Sequence, residues 1–268
     1  MISIMTTNFT YQIFKLDDSV VDQAFLEALP EYFSHNGTII HHARNQIRVM
    51  DINGQKVNVK KYCIPPIVNR ILYSVGLRRP KAKSTYVNAQ EIINRGFSTP
   101  KPYAYILERK KGLLYHSYFI SEQVEGVKPI GHQCTDKKLI AALAEYTAQL
   151  HKKGLMHKDF TPGNILYKQE NGKYTFTLVD INRFHCQNTP IGFSGTCKNL
   201  MQPLYNDELI KFFVFEYAKY RKINTGIVWP YVYFLRHWRN WYNRMKKALK
   251  NLPGANLLIN KPINSKHK

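Results

Sequence analysis

One stretch constrains this chain more than any other: His157-Lys158-Asp159-Phe160-Thr161-Pro162-Gly163-Asn164, which follows a helical segment and precedes the short strand Ile165-Leu166-Tyr167. Asn171-Gly172 then predicts a tight hairpin, because both positions tolerate positive φ. The return strand, Phe176-Thr177-Leu178-Val179, ends on Asp180-Ile181-Asn182-Arg183. A rigid hairpin of this kind aims Asp159 and Asn164 into one cleft and closes with a further carboxylate. A solvated turn after a helix, with Asp159 as a cap and Asn164 as a turn residue, explains the first half only. It does not explain why a buried-looking strand follows and ends in Asp180.

Around this unit the texture of the chain changes once. Over residues 37–63 the pattern is strand-like: Gln46-Ile47-Arg48-Val49-Met50 alternates polar with apolar, Asn53-Gly54 signals a two-residue turn, and Val57-Asn58-Val59-Lys60 resumes the alternation. A three-stranded antiparallel meander is expected there. Pro65-Pro66 precedes a helix over 67–75. The basic run Arg78-Arg79-Pro80-Lys81-Ala82-Lys83 leads into a second helix to about residue 95, with Gly96 as its stop. Strands are expected near 104–107 and 115–124, split by the basic turn Arg109-Lys110-Lys111-Gly112. Beyond Gly126 helices dominate. Leu139, Ile140, Leu143, Tyr146, Thr147 and Leu150 recur at helical spacing, with Thr135 or Asp136 as N-cap and Gly154 as terminator. Residues 207–222 and 228–250 also read as helices. The expected class is α+β, with a β-rich lobe over 1–126, a mainly helical lobe over 127–252 and a basic tail over 253–268.

Phosphoryl transfer needs two kinds of carboxylate. One positions the acceptor hydroxyl and takes its proton, and another holds the metal that neutralises phosphate charge. Asp159, Asn164 and Asp180 offer both. Their stretch resembles the kinase catalytic loop H-R-D-x-x-x-x-N followed by D-F-G, with Lys158 replacing Arg and Asp180-Ile181-Asn182 replacing the second motif. Val57-Asn58-Val59-Lys60 resembles V-A-I-K, the strand whose lysine binds ATP phosphates. An ordinary strand-end lysine beside Lys61 is the plainer alternative. Alternation sets Lys60 with Asn58 and places Val57, Val59 and Lys61 opposite, without saying which face is inward. No Gly-rich phosphate loop is present. The corresponding turn reads His41-His42-Ala43-Arg44-Asn45, where Arg44 offers charge instead of close backbone approach. Glu91, the only acid over 81–95, is the candidate helix partner for Lys60, with a solvent-facing Glu91 as the alternative. The strand ending at Glu122-Gln123-Val124, before Glu125-Gly126, is the expected lobe hinge where backbone meets adenine, and an edge strand is the competing reading.

Several stretches occur in order: Ala43-Arg44-Asn45-Gln46-Ile47, Val57-Asn58-Val59-Lys60-Lys61-Tyr62, Lys81-Ala82-Lys83 and Gly96-Phe97-Ser98-Thr99-Pro100-Lys101-Pro102. Ser121-Glu122-Gln123-Val124-Glu125-Gly126, the 157–164 loop and Val179-Asp180-Ile181-Asn182-Arg183 continue the series. Together, over residues 37–184, they resemble the Kdo/WaaP-type lipopolysaccharide kinases, kinase-like enzymes that phosphorylate sugars of the lipopolysaccharide core. The resemblance implies a two-lobed protein-kinase-like fold, ATP and Mg²⁺ as cofactors, and a core or lipid A precursor sugar of Kdo or heptose type as acceptor. It implies that Lys60 binds ATP phosphates, that Asp159 is the base, and that Asn164 and Asp180 hold Mg²⁺.

Charge and composition narrow the partners. Lys plus Arg number 39 against 18 Asp plus Glu, a formal charge of +21, while hydrophobic residues at 44% exclude a disordered basic tail protein. Anionic partners follow: nucleic acid, phosphorylated small molecules or an acidic membrane face. Over residues 231–250, Arg236, Arg239, Arg244, Lys246, Lys247 and Lys250 lie among Trp238, Trp241 and Tyr242. A solvated basic helix face and a contact with an anionic bilayer explain that stretch equally well, and both ahead of nucleic acid, which is not expected as a partner. A protein Ser/Thr kinase would carry an A-P-E tripeptide after the metal carboxylate, and none occurs. A non-catalytic kinase-like binding module would not need Lys60, Asp159 and Asp180 together. The four cysteines have no metal-ligand spacing. With no apolar h-region over 1–16 and no run of about 18 apolar residues, the expectation is a cytoplasmic chain with reduced thiols, peripheral at the inner face of the cytoplasmic membrane.

Overall fold

The computed structural model describes residues 2–6, 8–16, 20–131 and 133–250. The expected basic tail over 253–268 lies outside the described residues. Strands β1 (Ile2–Met5) and β2 (Thr10–Lys15) lead to helix α1 (Gln23–Tyr32). The predicted meander follows as β3 (Thr38–His42), β4 (Gln46–Ile52) and β5 (Gln55–Tyr62), antiparallel throughout. His41 and His42 belong to β3, so the turn at its end is the shorter Ala43-Arg44-Asn45. Helices α2 (Ile67–Ser74) and α3 (Lys81–Asn94) precede β6 (Pro102–Lys110) and β7 (Leu113–Glu122). Among the described residues these strands make one sheet in the order β1-β2-β6-β7-β5-β4-β3. β7 lies between β6 and β5, so the strand leading to the expected hinge is central and not an edge.

Period-two alternation decides where Lys60 points. Val57 and Val59 are fully buried against α1, with Leu26, Leu29 and Phe33. Tyr62 lies on the other face among Tyr86, Ala82 and Tyr105 beneath α3, and Lys60 shares its parity. Helix α3 spans two cores. Ala82 and Tyr86 pack on the sheet, while Ala89 and Ile92, about two turns on, enter the core of the helical half.

That half comprises β8 (Lys128–Pro129), α4 (Lys137–Lys152), β9 (Leu155–His157), β10 (Ile165–Glu170), β11 (Lys173–Leu178), β12 (Phe184–Cys186), α5 (Phe193–Leu200), α6 (Asp207–Arg221) and α7 (Thr225–Lys250). Asp136 is the cap of α4, its carboxylate accepting the amides of Lys138 (2.8 Å) and Leu139 (3.3 Å). Gly154 ends the segment at φ +71°, and a Cβ there would lie 2.0 Å from the Gln187 carbonyl oxygen, so only glycine fits.

Strands β1 and β2 and helices α1 and α5 were not expected, and local sequence explains why. Ile2, Ser3 and Met5 of β1 are all exposed at the sheet edge, which leaves no alternation to read. Pro30 lies inside α1, and Gly195 sits in the middle of α5, where a Cβ would press on Ile191 at 3.0 Å. Both residues argue against helix by propensity and are overridden by packing.

A buried polar chain runs under the 157–164 loop. The Asn199 amide donates to the His157 carbonyl (2.7 Å), which turns its oxygen toward His151 Nε2 (3.0 Å). His151 therefore carries its proton on Nε2, and Nδ1 accepts from the Tyr217 hydroxyl (2.8 Å). Burial pushes the His151 pKa down to about 4. Because this folded value lies below the ordinary value of about 6.5, the unfolded chain takes up the proton first. The contribution is whole above about pH 6.5 and fades as pH falls toward 4. Chemical denaturation should show stability dropping by roughly 2 kcal/mol from this group between pH 7 and pH 5. His151→Gln should be less stable at pH 7 and show a flatter dependence over the same range.

Candidate active site

The loop is built from the strand before it. β9 pairs antiparallel with β12, placing His157 opposite Phe184. The buried His157 donates from Nε2 to the Val179 carbonyl (2.9 Å) and accepts the Asp159 amide on Nδ1 (3.1 Å). Burial lowers its pKa, so the ring stays neutral and able to make both bonds. Phe160 is fully buried and its amide is taken by Gln202 Oε1 (3.0 Å), which fixes the loop from below. Pro162–Asn164 form a single 3-10 turn, and Asn164 Nδ2 donates back to the Asp159 carbonyl (2.9 Å). Its Oδ1 is the atom this bond leaves over. The Val179 amide donates to the Asn164 carbonyl (3.0 Å), so loop and return strand are tied directly. β10 and β11 pair in register from Ile165↔Leu178 to Glu170↔Lys173, turning at Asn171 and Gly172, both at positive φ.

Asp180 follows β11 at φ 54°, ψ 45°, a left-handed conformation that aspartate adopts only where surroundings hold it. Its Oδ1 accepts from Lys60 Nζ at 2.5 Å and from Asn182 Nδ2 at 2.8 Å. Burial would raise its pKa, yet the Lys60 charge and these two hydrogen bonds pull it below the ordinary carboxylate range. The Asp159 carboxylate is 39% exposed and pairs with Arg183 Nη2 at 3.3 Å. The two acids are thus about equally exposed, at 39% and 37%, and differ in partner: an arginine for Asp159 and a lysine for Asp180.

Cations gather around Asp180. Lys60 and Lys81 lie over the ring of the buried Tyr62, at 5.2 and 5.9 Å from its centroid. Burial, then the nearby Arg44 guanidinium, push the Lys81 pKa down; Lys60 adds to this and Asp180 opposes it. Arg44 Nε reaches Cys63 Sγ at 3.3 Å across the mouth of the meander. Three cations to one carboxylate is a site short of negative charge, suited to phosphates. Its hard oxygen donors, Asp180 and Asn164 Oδ1, suit a Mg²⁺ ion that draws its remaining ligands from phosphate and water. Among the described residues no group of three or more His, Cys, Asp or Glu forms a dedicated metal cage.

The model of the lipopolysaccharide kinase (Kdo/WaaP) family matches residues 43–200, more than half of the chain. The chain belongs to this kinase family. A solved structure titled "WaaP in complex with acyl carrier protein" is similar in fold, with TM-score 0.56 and 12% identity, over 84% of this chain and 98% of that one. A microcompartment-associated aminopropanol kinase is similar at TM-score 0.50 and 12% identity, over 80% of this chain and 86% of that one. At such identities they show a shared kinase-like fold and no more. No curated protein sequence matches the chain.

Within this lipopolysaccharide kinase fold, Lys60, Arg44, Asn164 and Asp180 fall around the site with Asp159. Glu91 does not. It pairs with Arg95 (3.1 Å) at the far end of α3, and Arg95 also donates to the carbonyls of Lys153 (2.7 Å) and Gln187 (2.6 Å). The expected Glu91–Lys60 pair is therefore replaced by Lys60–Asp180. The reason is helix phase: α3 turns Thr85 onto Tyr62 (2.7 Å) and Asn88 onto the Ile181 carbonyl (2.7 Å), leaving Glu91 one turn further on. At the hinge, the Glu122 amide donates to the Lys101 carbonyl (2.9 Å) and Gln123 Oε1 accepts from Asn58 (2.8 Å), while the Val124 carbonyl takes the Gln123 side chain (3.2 Å). Lys81 was not foreseen as a site residue. It looked like one charge in a basic run, and only its place at the start of α3 separates it from Lys83. In a carboxyl-observed NMR titration, Lys60→Met should raise the Asp180 pKa, since burial then acts without the opposing Lys60 charge and hydrogen bond.

Proposed function

We propose that this protein is an ATP-dependent kinase that transfers the γ-phosphoryl group to a sugar hydroxyl of the lipopolysaccharide core, of Kdo or heptose type. The observation that carries the reading is the Lys60–Asp180 pair at 2.5 Å, which brings the β5 lysine to the carboxylate that follows the hairpin after the Asp159–Asn164 loop. A lysine beside a carboxylate supports this reading because the one can meet phosphate oxygens and the other a divalent cation. In this reading Lys60, with Arg44 and Lys81, holds the ATP phosphates, and adenine is received by the Gln123 carbonyl and the Val124 amide, since the Glu122 and Gln123 amides and the Val124 carbonyl are bonded within the protein. Asn164 Oδ1 and the Asp180 carboxylate hold Mg²⁺, which when bound neutralises charge on the transferred phosphoryl group. Asp159 accepts the proton of the acceptor hydroxyl, and Arg183 lies beside its carboxylate at 3.3 Å.

Family membership supports the lipopolysaccharide acceptor, and the surplus of cations supports an acceptor that is itself anionic. Because ATP is cytoplasmic, the reaction belongs at the inner face of the cytoplasmic membrane. Among the described residues no helix is long and apolar enough to cross it. Asp159→Asn should lower kcat on a lipopolysaccharide core sugar by about 10² to 10⁴ while leaving ATP binding intact. Lys60→Met should instead raise the KM for ATP. Coupled ATP-turnover assays with and without Mg²⁺ read both, and undiminished turnover in Asp159→Asn overturns the assignment.

A further inference from the structure

Helix α7 has two sides with opposite fates. Val228 and Val232 are buried against the body, and Arg236 is 6% exposed. The Arg236 guanidinium bonds to Asp207 (2.5 Å), to the carbonyls of Met201 and Leu204 (3.1 Å each) and to that of Tyr205. This clamps the helix onto the segment before α6 and removes Arg236 from the set of surface cations expected from sequence. The opposite side is an exposed stripe at helical spacing: Phe234, Trp238, Trp241, Tyr242, Met245 and Leu249, each 36–57% exposed. Its rings are contiguous, with Phe234–Trp238 centroids at 6.2 Å and Trp238–Trp241 at 5.1 Å. From His237 to Leu249 every residue except Arg239 is exposed, so about 18 Å of helix runs on without packing.

The charge on this segment is one-sided. Arg244, Lys246 and Lys247 are exposed, and no Asp or Glu occurs from Thr225 to Lys250. A second copy of the helix would cover the aromatic stripe only by bringing two unopposed sets of cations together. An anionic lipid surface satisfies both features, since Trp and Tyr favour the headgroup level and lysine and arginine favour lipid phosphate. The helix also passes near the site: burial and the Arg236 charge lower the Arg239 pKa, and the Asp159 carboxylate acts against them.

We propose that α7 is a membrane-docking element, lying in the plane of an anionic bilayer with the Phe234–Trp238–Trp241 ridge in the headgroup–acyl boundary and Arg244, Lys246 and Lys247 over lipid phosphates. It adds to the kinase reading the surface from which a lipid-borne acceptor is taken. Binding is measured without catalysis, so either reading can fail alone. In flotation at physiological salt, the full chain should bind vesicles of phosphatidylcholine with roughly one-third phosphatidylglycerol and not phosphatidylcholine alone. Trp238→Ser/Trp241→Ser should abolish binding. Arg244→Gln/Lys246→Gln/Lys247→Gln should weaken it roughly 100-fold, at about fivefold per cation near the surface. Brominated lipid should quench the wild-type tryptophan fluorescence and spare Trp229 in the double variant. Both variants should keep the wild-type melting temperature and turnover on a soluble delipidated sugar. Equal binding to both vesicle types, or absence of quenching, overturns the proposal. So does a wild-type dimer in sedimentation that the double tryptophan variant turns into monomer while vesicle binding persists.

Discussion

The contact between Lys60 and Asp180 joins residues 120 positions apart and couples the sheet to the hairpin that follows the 157–164 loop. Lys60 is 13% exposed and Asp180 37%, so neither charge is hydrated as it would be alone, and each depends on the other. Asn182 supplies a second bond to the same carboxylate, and the left-handed backbone at Asp180 is tolerable because these partners hold it. Arg44 and Lys81 then leave the region with more positive than negative charge. That imbalance is the electrostatic ground on which phosphates are proposed to bind there.

Beneath the cleft, the requirement is rigidity without exposed polar groups. The chain from Tyr217 through His151 and Asn199 to the His157 carbonyl uses donors from α6, α4 and α5 on one strand end. Each bond fixes the orientation of the next, and low local dielectric makes an unmet partner costly. His157 continues the arrangement upward by holding Val179 and the Asp159 amide. The proposed base therefore sits on a buried, fully bonded frame while its own carboxylate stays open to an acceptor. Helix α3 performs the complementary task between lobes, since Ala82 and Tyr86 belong to one core and Ala89 and Ile92 to another.

Much of this was legible locally. Asn53-Gly54 and Asn171-Gly172 each signal a two-residue turn, and both hairpins form there with both turn residues at positive φ. The parity of Val57, Val59 and Lys60 was likewise readable, although which face was inward depended on α1 and α3, which lie far from β5 in sequence. Glu91 illustrates the opposite case. Composition made it the only acid available on α3, but a turn of helix phase sends it to Arg95 and assigns Lys60 to Asp180 instead. From sequence Arg236 reads as surface charge, because its backbone carbonyl partners carry no signal there.

By itself the sequence determined the order of strands and helices around one hairpin, the spacing of Asp159, Asn164 and Asp180, and a strongly positive chain. These are properties of local backbone preference, periodicity and composition, which act over a few residues. Only the tertiary structure decided which lysine meets which carboxylate, that Lys81 joins Lys60 and Arg44, and that α7 turns an aromatic stripe outward after Arg236 pins its base. Those outcomes depend on helix phase and on carbonyl groups from distant segments, and neither is written in the identity of any single residue.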